Sequence, residues 1–163
     1  VLVFLGSDDG VQSQPIAALN SGGLTMMGLC VDGAGDINGD GFADIIARFS
    51  DSSGAAFGSA VRLDTGTPAG TSTSFDVALA ADGDLVGAAW SDDRSGFLDV
   101  HANFSLDGGR TWQPNDYRMD SGTAGSSDSE RPDVYVGGGS VHVIWIDHRS
   151  GANGDVYTRR LRP

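Results

Sequence analysis

The chain has 163 residues, with 22 acidic against ten basic ones and a formal net charge of −12. That balance excludes a nucleic-acid partner, whose phosphates require a basic patch, and the length suits one ordinary domain. All ten basic residues are Arg, and Glu130 is the only Glu among 21 Asp. Lys and Glu are the common helix-surface residues, whereas Asp, Gly and Ser favour turns, so composition predicts β-structure with many tight turns. Cys30 is the only cysteine, which rules out an internal disulfide.

In chain order, the first strand is VLVFLG at Val1. No apolar run approaches the length of a membrane span and no signal segment is present, so the expectation is a mature or excised piece of something longer. GLTMMGLCVDGAGD reads as a strand entering a loop, GDINGDGFAD (35–44) as the loop, and DIIARF as the strand leaving it. In this loop Asp36, Asn38 and Asp40 stand at alternate positions, with Asp44 four residues later. Such spacing turns several oxygens inward, and Ca²⁺ takes about six to eight oxygens at about 2.3–2.6 Å. Gly39 and Gly41 permit the wrapping, and the Phe42 carbonyl is a natural further ligand. An EF-hand is disfavoured, because its twelfth position requires Glu and Ala47 stands there, and because the flank IIARF is strand-like.

The remainder is a duplication. GAAWSDDRSGFLDVH (87–101) aligns with VIWIDHRSGANGDVY (143–157), so that Trp90, Asp92 and Arg94 match Trp145, Asp147 and Arg149. Upstream, Arg62-Leu63-Asp64-Thr65-Gly66 matches Arg118-Met119-Asp120-Ser121-Gly122, and the offset stays between 55 and 57 residues. Strands are predicted at Asp76 to Ala80, Leu85 to Trp90, Asp99 to Ser105 and near Tyr117 to Met119. Four short strands per unit is the arithmetic of a β-propeller blade. The predicted fold is therefore all-β, with about three blade units of four antiparallel strands over 1–60, 61–117 and 118–163. Closed propellers have about four to eight blades, so the ring is incomplete unless more chain or more subunits join it.

Two resemblances sharpen this reading. MGLCVDGAGDINGDGFADIIA, with the strand VLVFLGSDDGV before it, resembles the FG-GAP repeat of integrin-α-type propellers over residues 1–50. It departs from the family at Met27, where the Phe of the FG pair belongs, and at Ala47-Arg48-Phe49, where Gly-Ala-Pro belongs. SLDGGRTW resembles the Asp box of the BNR repeats of sialidases, and its flanks extend that likeness over residues 61–163. The resemblance implies a hairpin in which Ser105, Asp107, Gly109 and Trp112 are structural.

A sialidase-type site needs an Arg cluster, a Tyr nucleophile with a Glu partner and an Asp acid/base. Tyr117, Tyr135, Tyr157 and Glu130 are present, but none lies in a recognisable catalytic motif, and Ser129-Glu130-Arg131-Pro132-Asp133 is only faintly like the family's Arg-x-Pro element. The repeated Trp90/Asp92/Arg94 and Trp145/Asp147/Arg149 have two readings: a sugar pocket, or a core Trp with an Asp–Arg pair holding a turn. His101, His142 and His148 form no metal set. The expectation is a non-catalytic, calcium-binding module of the cell surface or exterior that binds a glycan or a protein. The alternatives are a self-assembling structural subunit and a sialidase-type hydrolase fragment.

Overall fold

A computed structural model describes residues 45–48 and 57–163, together with four two-residue strands upstream. Those four are β1 (Leu2–Val3), β2 (Gly6–Ser7), β3 (Gly10–Val11) and β4 (Ala17–Ala18), pairing β1 with β4 and β2 with β3. The calcium-type loop, from Asp36 to Asp44, lies outside the described residues. Next, β5 (Ile46–Ala47) pairs with β6 (Val61–Arg62).

Two larger antiparallel sheets follow. The first joins β7 (Ser74–Asp82), β8 (Leu85–Asp92), β9 (Asp99–Ser105) and β10 (Tyr117–Arg118) in simple chain order. The second joins β11 (Ser129–Gly137), β12 (Ser140–Asp147) and β13 (Asp155–Leu161). The fold is all-β and built of propeller-type blades. Among the described residues no helix is long and apolar enough to cross a membrane.

The strand sequences explain how the sheets stack. LVGAAW in β8 is apolar at nearly every position because both faces of its sheet are covered. On one face Ala88 and Trp90 meet Ile45, Ala47 and Leu63 from the β5–β6 side. On the other, Ala89 joins Val100, Ala102 and Phe104 against Val141, Val143 and Trp145 of the β11–β13 sheet. Gly87 lets the two sheets close up, since a Cβ there would stand 2.5 Å from Cγ1 of Val141. In β12, by contrast, only alternate residues are apolar and buried. Val141, Val143 and Trp145 face inward, while Ile144 points out and is 45% exposed. The described sheets thus form an open stack, not a closed ring.

Pairing also fixes where each unit ends. Val61–Arg62 hydrogen-bonds to β5, and Tyr117–Arg118 to β9 at Ala102 and His101. The Arg of each Arg-x-Asp-x-Gly stretch therefore closes the sheet behind it, whereas a boundary between 117 and 118 would split β10. The third unit has three strands in its sheet, and the outer edge of β13 is open among the described residues.

Candidate functional site

The duplicated Trp-x-Asp-x-Arg stretches lie inside the fold. Asp92 is fully buried at the end of β8. Its Oδ1 accepts from the Arg94 backbone N–H (2.9 Å) and from Arg94 Nε (2.8 Å), and its Oδ2 from Arg94 Nη2 (2.6 Å) and Ser74 Oγ (2.8 Å). The second face of the guanidinium holds Asp116, with Nη2 at 2.9 Å from Oδ2. Asp147 repeats the plan: Ser129 Oγ donates at 3.0 Å, Arg149 Nε at 2.8 Å and the Arg149 N–H at 2.9 Å. Each Ser–Asp–Arg set ties the end of one strand to the start of its neighbour, a bidentate geometry that Arg supplies and Lys does not.

The two copies differ in what surrounds them. Trp145 Nε1 donates to Asp147 at 3.2 Å, and the Arg149 guanidinium lies 4.3 Å from the centre of the Tyr157 ring. Trp90 Nε1 is buried without a hydrogen-bond partner, its ring stacked on His101 across the β8–β9 ladder. Gly66 makes room for the first clamp, since a Cβ there would stand 1.8 Å from Arg94 Nη1, whereas a Cβ on Gly122 would lie 4.0 Å from Arg149 Cζ. Arg62 grips Asp64 at 2.9 and 2.7 Å through Nε and Nη2, whereas Arg118 bridges Asp99 and Asp120 through Nη2 alone.

Charge placement sets the acidities. Burial alone would raise Asp92 and Asp116, but hydrogen bonds from Arg94 to Asp92, and the His101 ring 3.6 Å away together with Arg94 at Asp116, hold both carboxyls below the usual range. Desolvation would likewise lower Arg94, yet its two carboxylates push it well up. Hydrogen bonds from Arg149 depress Asp147 strongly. Asp120 goes the other way, because burial and then repulsion from Asp99 outweigh Arg118.

SLDGGRTW forms a closed hairpin between β9 and β10. Asp107 accepts from the Thr111 N–H (2.8 Å), the Thr111 hydroxyl (2.7 Å) and Ser105 Oγ (2.7 Å), and Gly109 N–H donates to Ser105 Oγ at 2.8 Å. These bonds, the Thr111 N–H first, bring Asp107 down to about 2. Gly108 and Gly109 take φ of 72° and 92°, and Trp112 packs beside Trp90 and Leu63. All of this is internal bonding, which leaves the hairpin little chemistry to offer a ligand.

The exposed chemistry lies at positions that the motifs do not mark. The first strand of each large sheet carries a bulge, between Phe75 and Ala78 in β7 and between Glu130 and Asp133 in β11. Asp76 and Arg131 sit in these bulges, 55 residues apart, and both have φ of 53°. They are the only non-Gly residues with positive φ among the described residues. Arg131 also precedes a proline, which favours extended backbone, so its conformation is doubly unfavourable. Both side chains are exposed. Beside them, His148 Nε2 stands 3.3 Å from Glu130 Oε1. A Pro within a strand pattern, here Pro132, is the sequence sign of a bulge; the matching bulge at Asp76 leaves no such sign. Among the described residues no group of three or more His, Cys, Asp or Glu is arranged to hold a metal ion.

No protein-family model matches the chain, and no curated protein does. Among solved structures it is similar to an α-L-arabinanase of Penicillium chrysogenum complexed with arabinobiose, at 15% identity and a TM-score of 0.46, covering 73% of this chain and 36% of that one. It is also similar to a thermostable family-43 glycoside hydrolase, at 13% identity and a TM-score of 0.46, covering 98% of this chain and 66% of that one. The chain thus spans less than two thirds of the length of either. At this level of likeness neither substrate nor mechanism transfers. One expectation is nevertheless corrected: both matches are glycoside hydrolases, so the chain is not assigned a non-catalytic role. What the sheets themselves define is an all-β segment of the propeller class.

Proposed function

We propose that this chain is a propeller-class recognition segment that binds glycans at the bulged first strands β7 and β11. The observation that carries this reading is the pair of exposed residues in left-handed backbone, Asp76 and Arg131, at equivalent places in neighbouring sheets. Such backbone costs on the order of 1–3 kcal/mol, and at functional sites that strain serves to aim a side chain. In this reading the two bulges present a carboxylate and a guanidinium to the ligand. Sugar hydroxyls both donate to carboxylates and accept from guanidinium groups, which matches a mixed pair of this kind. The buried Trp90 and its clamp are not available for the same task.

The test is a glycan array, followed by titration of the best ligand into wild type, Asp76→Ala and Arg131→Ala. Binding that weakens in both variants supports the site, and unchanged binding in both overturns it. Sugar release in the same mixtures reads whether a bound glycan is also cleaved.

The spacing of Asp36, Asn38, Asp40, the Phe42 carbonyl and Asp44 supports a calcium clip in the first unit, and the FG-GAP and BNR likenesses support a cell-surface or secreted setting. A higher melting temperature with Ca²⁺ than with chelator, abolished in Asp36→Ala, is the expected outcome. No calcium-dependent shift in the wild type would contradict it.

A further inference from the structure

We infer that Asn153-Gly154, in the turn between β12 and β13, is a site of spontaneous deamidation that rebuilds this turn. Asn is a thermolabile residue, and it loses its amide most readily before Gly, where no Cβ shields the next main-chain nitrogen. Asn153 is exposed, and the Gly154 N–H takes no part in the β12–β13 ladder, whose end pair is Asp147 with Asp155. Packing keeps the Gly in place: a Cβ at 154 would stand 2.3 Å from Ile146 Cγ2 and 3.1 and 3.2 Å from His148 Cε1 and Nε2. The equivalent turn of the preceding sheet leaves Phe97 55% exposed although that sheet is covered on both faces. Exposure therefore belongs to the turn itself and not to the open sheet face.

The other two Asn among the described residues are protected. Asn103 is fully buried; its Oδ1 accepts from the Phe104 N–H at 2.7 Å and its Nδ2 donates to the Gln113 carbonyl at 3.1 Å. Asn115 is exposed, but the N–H that follows it, of Asp116, donates to Thr65 Oγ1 at 3.1 Å. At Asn153 the Gly154 nitrogen attacks Cγ, the Cγ–Nδ2 bond breaks, and ammonia leaves with the proton of the Gly154 N–H. Water then opens the cyclic imide. Attack at Cγ gives Asp, and attack at the main-chain carbonyl carbon gives isoaspartate, whose main chain runs through Cβ and Cγ. Either product adds a negative charge beside Asp155. Isoaspartate also lengthens the main chain by a methylene where Gly154 lies against Ile146 and His148, so the His148–Glu130 contact shifts with it.

Peptide mapping of the whole protein, held in warm, mildly alkaline buffer with its fold followed by circular dichroism, tests this. Trypsin releases residues 150–159 as one peptide, separate from those that hold Asn38, Asn103 and Asn115. Peptide 150–159 is expected to lose its amide and divide into Asp and isoaspartate forms, while the Asn103 and Asn115 peptides stay intact. Asn153→Gln is expected to abolish that conversion. Protein converted in this peptide alone, isolated by ion exchange, is expected to melt lower than the unconverted fraction of the same incubation. A peptide 150–159 that stays intact in the folded protein, or converts no faster than the Asn115 peptide, overturns the inference. Equal melting of the two fractions overturns the rebuilding of the turn.

Discussion

Arg94 shows most clearly how this chain uses charge. Its side chain is 8% exposed and serves two buried carboxylates at once, and removing it strands both of them. Arg94→Ala is therefore expected to cost about 3–5 kcal/mol, read as a shift in the urea midpoint. Arg149→Ala is expected to cost less, because Arg149 is 26% exposed and Asp147 keeps Ser129 and Trp145 as donors. Acid unfolding follows from the same groups. Asp92, Asp116 and Asp147 are held below the ordinary carboxyl value of 3.8, so their contribution is complete above that value. It is lost as the pH falls through their lower folded values. Asp120, which is raised, opposes this: its contribution is present below 3.8 and lost as the pH rises through its folded value. A melting profile that falls steeply below about pH 4, and less steeply in Asp147→Asn, is the expected result. The alternation of Trp90, Asp92 and Arg94 was legible in the sequence as one structural unit. Burial alone decides that it faces the core, and burial depends on the neighbouring sheets.

At the scale of the element, the strands were legible because their sequences obey simple rules. The predicted Leu85 to Trp90 and Asp99 to Ser105 lie within or coincide with β8 and β9, and the Gly-rich turns fall where φ is positive. Of the two bulges only the one beside Pro132 leaves a local sign; the one at Asp76 was not legible, since it depends on how two strands pair. Arg131→Gly relieves a left-handed residue, so the folded protein is expected to keep its stability or gain up to about 1 kcal/mol while losing the ligand. Gly87→Ala is expected to do the opposite at the sheet interface. Its methyl group would press on Val141 and cost about 1–3 kcal/mol in thermal unfolding. The outer-strand role of Val61–Arg62 was obscured for another reason. Two residues are too few to show a period, and only the pairing with Ile46–Ala47 assigns them.

Over the whole molecule, the internal offset announced stacked units before any contact was known, and the sheets stack in that order. Sequence could not say which sheet face is covered among the described residues, because Ala89 and Ile144 are alike in type and differ only in what lies above them. The proposed ligand site is equally a property of the paired strands: the repeated motifs tie strand ends within each sheet, and the proposal gives recognition to the strained bulges. Titration calorimetry of the best array glycan against wild type, Arg131→Gly and Arg149→Ala, each confirmed as folded by its melting curve, tests this division directly. Loss of binding in Arg131→Gly with binding retained in Arg149→Ala is the predicted result. Full binding by Arg131→Gly, or its loss in a folded Arg149→Ala, would contradict it.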